Sequence, residues 1–151
     1  MRTSPRPLTF LVLDDNADGR FLLAKTLLRC FPTSAVQECV EIEVATTLCR
    51  TQPPHAVIAH RARGLDGMET IRQLREANPS VPIVYLSGID RTQEAIRAGA
   101  TCFLNYDAWL RIGTVVADLL PNHIAPEEGT VPLPDRLVSA TNEFRNGREL
   151  A

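Results

Sequence analysis

The chain has 151 residues, 44% of them hydrophobic and 23% charged, with a net charge of −2. This composition is ordinary for one soluble globular domain with appendages, and the near-neutral balance gives no electrostatic reason to expect nucleic acid. No apolar run approaches the ~20 residues of a membrane-spanning helix, and Met1 to Pro7 lacks the apolar stretch of a signal peptide, so the cytoplasm is the expected compartment.

Leu8 to Leu13 is an apolar run that ends in Asp14, Asp15 and Asn16. It suits a strand buried on both faces, with the acids at its C-terminal edge. Paired carboxylates there are compatible with a cation or phosphate site, and equally with a cap for the helix that follows. From Ala17 to Phe31, Leu23, Leu27 and Phe31 recur at i, i+4 and i+8 as in an amphipathic helix, which Pro32 stops. Val36 to Val40 alternates like a strand with one exposed face. Val44 to Arg50 is a weak helical pattern, since Val44, Thr46 and Thr47 are β-branched and Pro53-Pro54 follows.

Ala56 to Ala59 predicts a second buried strand, followed by a polar turn from Arg61 to Gly67. Met68, Ile71 and Leu74 then mark a helix ending at Ala77, before Asn78-Pro79. Val81 to Leu86 is a third apolar run, closed by Ser87-Gly88, and Asp90 precedes a helix from Arg91 to Ala98 that Gly99 ends. Thr101 to Leu104 predicts a last strand. Asp107 opens a final helix with Leu110, Ile112, Val116, Leu119 and Leu120 expected to be buried.

Strands alternating with helices five times imply a parallel sheet covered by helices on both faces. The expected organisation is an N-terminal arm (residues 1–7), one domain (8–120), and a Pro-rich linker with a short C-terminal helix (121–151), the latter suggested by Leu137, Ala140 and Phe144. Cys30, Cys39, Cys49 and Cys102 lack C-x-x-C spacing and nearby His partners. They read as small buried hydrophobes rather than as a zinc site or a disulfide framework.

Leu11 to Asn16, Ala56 to Gly67, Pro82 to Gly88 and Ala98 to Leu104, in that order and spacing, resemble the receiver domain of bacterial two-component response regulators. The resemblance implies a flavodoxin-like (βα)5 sheet of order 2-1-3-4-5 with a phosphorylation site at the strand C-termini. It also implies that Asp14 and Asp15 form the acidic pocket for Mg²⁺, with Ser87 and Phe103 at the switch positions. The pattern departs from the family at two places. The phosphoacceptor position holds His60, or Ala59 if the shorter turn to Asp66 is counted, and the position of the usual Lys holds Tyr106. Lys25, the only Lys, lies on the first helix and cannot substitute.

Phosphoryl transfer to a carboxylate needs the nucleophile, a divalent cation and a fixed positive charge, and two of the three protein contributions are missing. Only a weak Mg²⁺ site is expected from Asp14 and Asp15. The expectation is therefore a degenerate, stand-alone receiver, not an enzyme, that signals by contact with a protein partner such as a histidine kinase or a downstream regulator. The last helix-strand-helix face, with Trp109 and Arg111, is its candidate interface and a candidate homodimer surface. The alternative is a metal- or anion-binding switch using Asp14, Asp15 and His60. Asp66-Gly67 reads as turn chemistry and a helix cap, and Ser87 has no assignable base.

Overall fold

The computed structural model describes residues 7–120. The expected C-terminal linker and helix, and all of the N-terminal arm except Pro7, lie outside the described residues.

Eleven elements follow in chain order: β1 (Thr9–Leu13), α1 (Ala17–Cys30), β2 (Ala35–Cys39), α2 (Ile42–Thr51), β3 (Ala56–Ala59), α3 (Gly67–Ala77), β4 (Ile83–Ser87), α4 (Thr92–Ala98), β5 (Cys102–Asn105), a 3₁₀ segment (Tyr106–Arg111) and α5 (Ile112–Leu119). The five strands form one parallel sheet in the order β2-β1-β3-β4-β5. That is the order expected of a flavodoxin-like doubly wound fold, in which strand order reverses between β1 and β3.

Strand alternation divides the core in two. Leu11, Leu13, Val57, Ala59, Ile83 and Tyr85 point to one face, where α2, α3 and α4 cover them with Ala45, Cys49, Ile71, Leu74 and Ala95. Phe10, Val12, Ile58, Val84, Leu86 and Leu104 point to the other, where Leu23 and Leu27 of α1 and Ile112, Val115 and Val116 of α5 meet them. The central strands β1, β3 and β4 are buried almost throughout, which explains their unbroken apolar runs. The edge strand β2 keeps its polar residues exposed.

Local chemistry sets the boundaries. Asn16 caps α1 by accepting from the Gly19 amide at 2.7 Å, and Asp66 caps α3 by accepting from the Glu69 amide at 2.9 Å. Gly99 ends α4 at φ +122°, and a side chain there would also run into Arg75. The Arg75 guanidinium binds the carbonyls of Gly99, Asn78 and Val81 at 2.8, 3.1 and 2.7 Å, fastening the end of α3 to the α4–β5 turn.

The structure corrects three sequence expectations. The weak pattern at Val44 to Arg50 belongs to a longer helix, Ile42–Thr51, because tertiary burial of Ile42, Ala45 and Cys49 overrides the β-branched residues. The last helix does not begin at Asp107, since Tyr106–Arg111 is a 3₁₀ segment in which the Asn105 side chain accepts from the Asp107 amide. The tighter winding turns Leu110 outward, leaving it 62% exposed rather than buried. All four cysteines are free, and Cys30, Cys49 and Cys102 are buried.

Candidate functional site

β1 and β3 are paired so that Val12 faces Ile58 and Leu13 faces Ala59. One step further along each strand come Asp14 and His60, and the His60 amide donates to the Leu13 carbonyl at 2.9 Å. Both side chains therefore emerge on the α1/α5 side, at the edge where strand order reverses. Tyr106, the first residue after β5, reaches the same place from the 3₁₀ segment.

Asp14 is fully buried and hydrogen-bonded throughout. Its Oδ2 accepts from the Tyr106 hydroxyl at 2.5 Å. Its Oδ1 accepts from the Asn16 amide at 3.0 Å and lies 3.4 Å from His60 Nδ1. Its backbone carbonyl accepts from Arg20 Nη1 at 2.8 Å. Burial by itself pushes the Asp14 carboxyl up, but the bonds from His60, Tyr106 and the Asn16 amide outweigh it and hold the group below the ordinary carboxylate value. The same geometry acts in reverse on Tyr106, whose phenol burial and the Asp14 carboxylate push well up, so that it remains a proton donor.

The Asp15 side chain takes Arg61 Nε at 3.0 Å, and Arg63 pairs with Glu41 at 2.9 Å. The His60 ring stands edge-on to Tyr106 with centroids 5.3 Å apart and lies 6.5 Å from Tyr85. Ala59 is completely buried in the α2/α3 core. Of the two residues that sequence counting left open, His60 is therefore the one brought against Asp14. Ser87 ends β4 nearly buried, with its Oγ accepting from the Ile89 amide at 3.1 Å. Phe103 is turned inward, 6.2 Å from Tyr85. Trp109 is half-buried against the α1/α5 core and Arg111 is half-buried beside it, while Leu110 is the exposed apolar residue of that surface.

Asp14, Asp15 and His60 can each offer one ligand atom, all within 4.8 Å of one another. This arrangement does not suit Mg²⁺, which asks for several free oxygens in octahedral array. Both Asp14 oxygens already accept hydrogen bonds, Asp15 is paired with Arg61, and the third group is an imidazole.

Sequence reasoning missed Gly19, Arg20 and the role of Tyr85. A Cβ on Gly19 would collide with the Tyr106 hydroxyl and crowd Asp14, and a Cβ on Gly67 would collide with the Tyr85 hydroxyl. Gly19 fell in the first turn of a predicted helix and Gly67 at the end of a predicted turn, so each stood out only as a local interruption and not as a seat for a distant side chain.

No family model matches the chain. It is 31% identical over 98 residues to the C4-dicarboxylate transport transcriptional regulatory protein DctD of Pseudomonas aeruginosa, a match covering 62% of this chain and 21% of that protein. The chain thus spans about a fifth of that relative's length. Among solved structures it is similar to the chemotaxis response regulator CheY4 of Vibrio cholerae, with 19% identity and a TM-score of 0.60 over 74% of this chain and 99% of that one. It is likewise similar to the receiver domain of NtrX from Brucella abortus, with 22% identity and a TM-score of 0.57 over 72% of this chain and 98% of that one. Together with the 2-1-3-4-5 sheet order, these likenesses show that residues 7–120 have the fold of a response-regulator receiver domain.

Proposed function

We propose that this chain is a receiver-type module of two-component signalling that works through protein contacts and not by accepting a phosphoryl group. The observation that carries the reading is the hydroxyl of Tyr106 donating to Asp14 at 2.5 Å, where the family carries a Lys. A neutral phenol in that place supplies no positive charge to a phosphoryl group, and it occupies an oxygen that a cation would need. His60 at the acceptor position removes the carboxylate nucleophile, and its ring beside Asp14 supports a purely structural polar pocket. The partner class is a histidine kinase or a downstream regulator. The candidate surface is α4, β5 and α5 with the 3₁₀ segment, where Leu110, Trp109 and Arg111 sit together.

The test is intact-mass spectrometry after incubation with acetyl phosphate and Mg²⁺ at neutral pH, without acid quenching. No mass gain is expected. A stoichiometric gain of one phosphoryl group on Asp14, Asp15, His60 or Asp66 overturns the reading.

A second reading, a metal-responsive switch, is favoured by one observation: the 4.8 Å grouping of Asp14, Asp15 and His60, which includes a borderline-soft imidazole. Calorimetric titration with Mg²⁺, Mn²⁺ and Zn²⁺ separates the two. Saturable binding that His60→Ala abolishes supports the switch, and no binding by the wild type or by Tyr106→Phe supports the contact-only module.

A further inference from the structure

Seven large apolar side chains are exposed among the described residues, and three of them, Phe21, Leu22 and Leu28, belong to α1. The opposite face of that helix buries Leu23 and Leu27 in the core. Its two flanks differ. Cys30 meets Gly113 of α5 on one, and Arg20 reaches Glu38 of the edge strand β2 at 3.2 Å on the other. At about 100° per residue, Ala17, Phe21, Ala24 and Leu28 fall in one stripe on the β2 flank, and Leu22 lies outside it, toward α5. The described helices on this sheet face are α1 and α5, so none of them stands beside that stripe.

The composition of the stripe suits one occupant. Its spacing of four, three and four residues is the a/d seam of paired helices, and its order is small, large, small, large. Reversing direction inverts this order, so a second copy of α1 laid antiparallel sets Phe21 opposite Ala24 and Leu28 opposite Ala17, and a two-fold axis repeats both contacts. Large against small is how such layers interdigitate, whereas a parallel pair would put Phe21 on Phe21. Charge agrees. Asp18 and Lys25 run beside the stripe on its solvent side, both exposed. In the register that the apolar layers set, each Asp18 stands ~3 Å along the axis from the Lys25 of the other copy, within side-chain reach. The like pairs are further apart along the axis, ~13 Å for Asp18 with Asp18 and ~8 Å for Lys25 with Lys25.

We infer that the outer flank of α1 is a homodimer interface, in which two copies of this chain pair their α1 helices antiparallel through Ala17, Phe21, Ala24 and Leu28 and exchange Asp18–Lys25 ion pairs. Within one copy Lys25 covers the Phe21 ring, its ammonium 5.6 Å from the centroid, and in the pair it turns to the Asp18 of the second copy. The contact is small, so the pair is weak and forms as concentration rises. It leaves the surface of α4, β5 and α5 free and does not depend on whether a phosphoryl group is accepted.

Small-angle X-ray scattering of the full-length chain from ~10 μM to ~0.5 mM, the range in which a weak contact associates, reads the dimer fraction. The wild type is expected to be dimeric at the upper end, and Phe21→Ser/Leu28→Ser to stay monomeric. Asp18→Lys and Lys25→Asp each place like charges across both ion pairs, and each should weaken association about tenfold. An equimolar mixture of these two variants restores opposite charges at both positions and should associate as the wild type does. Because the mixture contains only the two weakened chains, its recovery separates a broken interface from a damaged fold. A wild type that stays monomeric to ~0.5 mM, a dimer that Phe21→Ser/Leu28→Ser leaves intact, or a mixture no better than its components overturns the inference.

Discussion

Two tyrosines stand at the C-terminal edge of the sheet, one on each face, and each points its hydroxyl at a glycine in the first turn of a helix. Tyr85 meets Gly67 of α3, and Tyr106 meets Gly19 of α1. The surroundings differ. Tyr85 is 2% exposed and packed among aromatic and aliphatic neighbours, whereas Tyr106 is half-buried and donates to a carboxylate. The same steric device thus serves shape on one side and charge on the other. Substitutions at the four positions should separate these two roles.

The largest effect is expected at Gly67→Ala. Tyr85 has no free direction in which to retreat, so the new methyl forces the backbone of α3 or the ring itself out of place. Overpacking of this kind costs about 3 kcal/mol, more than the ~1 kcal/mol that alanine gains over glycine in a helix. Chemical denaturation should show a clear fall in midpoint, and a variant as stable as the wild type would mean that the Tyr85 seat is loose.

Tyr106→Phe comes next. It keeps the ring and removes one hydrogen bond to a buried carboxylate, a loss of about 2 kcal/mol. The effect depends on pH with a definite sign. Asp14 titrates below its ordinary value in the folded chain, so its contribution to stability is fully present above the unfolded pKa of ~3.9 and is lost as pH falls through the folded value. Removing one of the bonds that lower it moves the folded value up toward the unfolded one. The stability difference between wild type and Tyr106→Phe should therefore be full at pH 7 and shrink below about pH 4.

Gly19→Ala is expected to cost less, about 1 kcal/mol, although its clash is as direct as that at Gly67. Tyr106 can swing toward solvent, so the penalty is the lost bond to Asp14 offset by the ~1 kcal/mol helix gain. Because both changes break one bond, Gly19→Ala and Tyr106→Phe should be non-additive in a double-mutant cycle. Strict additivity would show that Tyr106 keeps its place when Gly19 is replaced.

The contrast between the two tyrosines also marks what sequence could and could not reveal. The parallel sheet was legible because the buried strands β1, β3 and β4 are short apolar runs set between helical periodicities, whereas its order followed only from the resemblance of those strand ends and turns to receiver domains. The acidic pair and His60 were legible as types of residue at strand ends. Their pairing was not, because register across parallel strands separated by 46 positions leaves no mark in local pattern, and counting alone left His60 and Ala59 open. Leu110 was misread for a related reason: a helical period was extended through Tyr106–Arg111, where the winding is 3₁₀ and the facing of each residue changes. Gly19 and Gly67 were legible only as interruptions, with no indication that each makes room for a tyrosine more distant in sequence.

Tyr85→Phe should have the smallest effect and is the sharpest control. Burial pushes the Tyr85 phenol up, so its hydroxyl is neutral at every pH of interest, and its polar surroundings are Ser87 and Arg91 rather than a buried carboxylate. Removing it leaves a small gap beside Gly67 and costs under ~1 kcal/mol, the net worth of an ordinary hydrogen bond. More telling is the acid limb. The Tyr106 hydroxyl, the Asn16 amide and His60 Nδ1 all remain on Asp14 in this variant, so the stability of Tyr85→Phe should run parallel to the wild type from pH 7 down to about pH 3. Denaturant titrations of wild type, Tyr85→Phe and Tyr106→Phe across that range read the difference directly. If Tyr85→Phe narrows its gap to the wild type below pH 4 as Tyr106→Phe does, the two hydroxyls feel the same carboxylate, and the division of labour between the two faces fails.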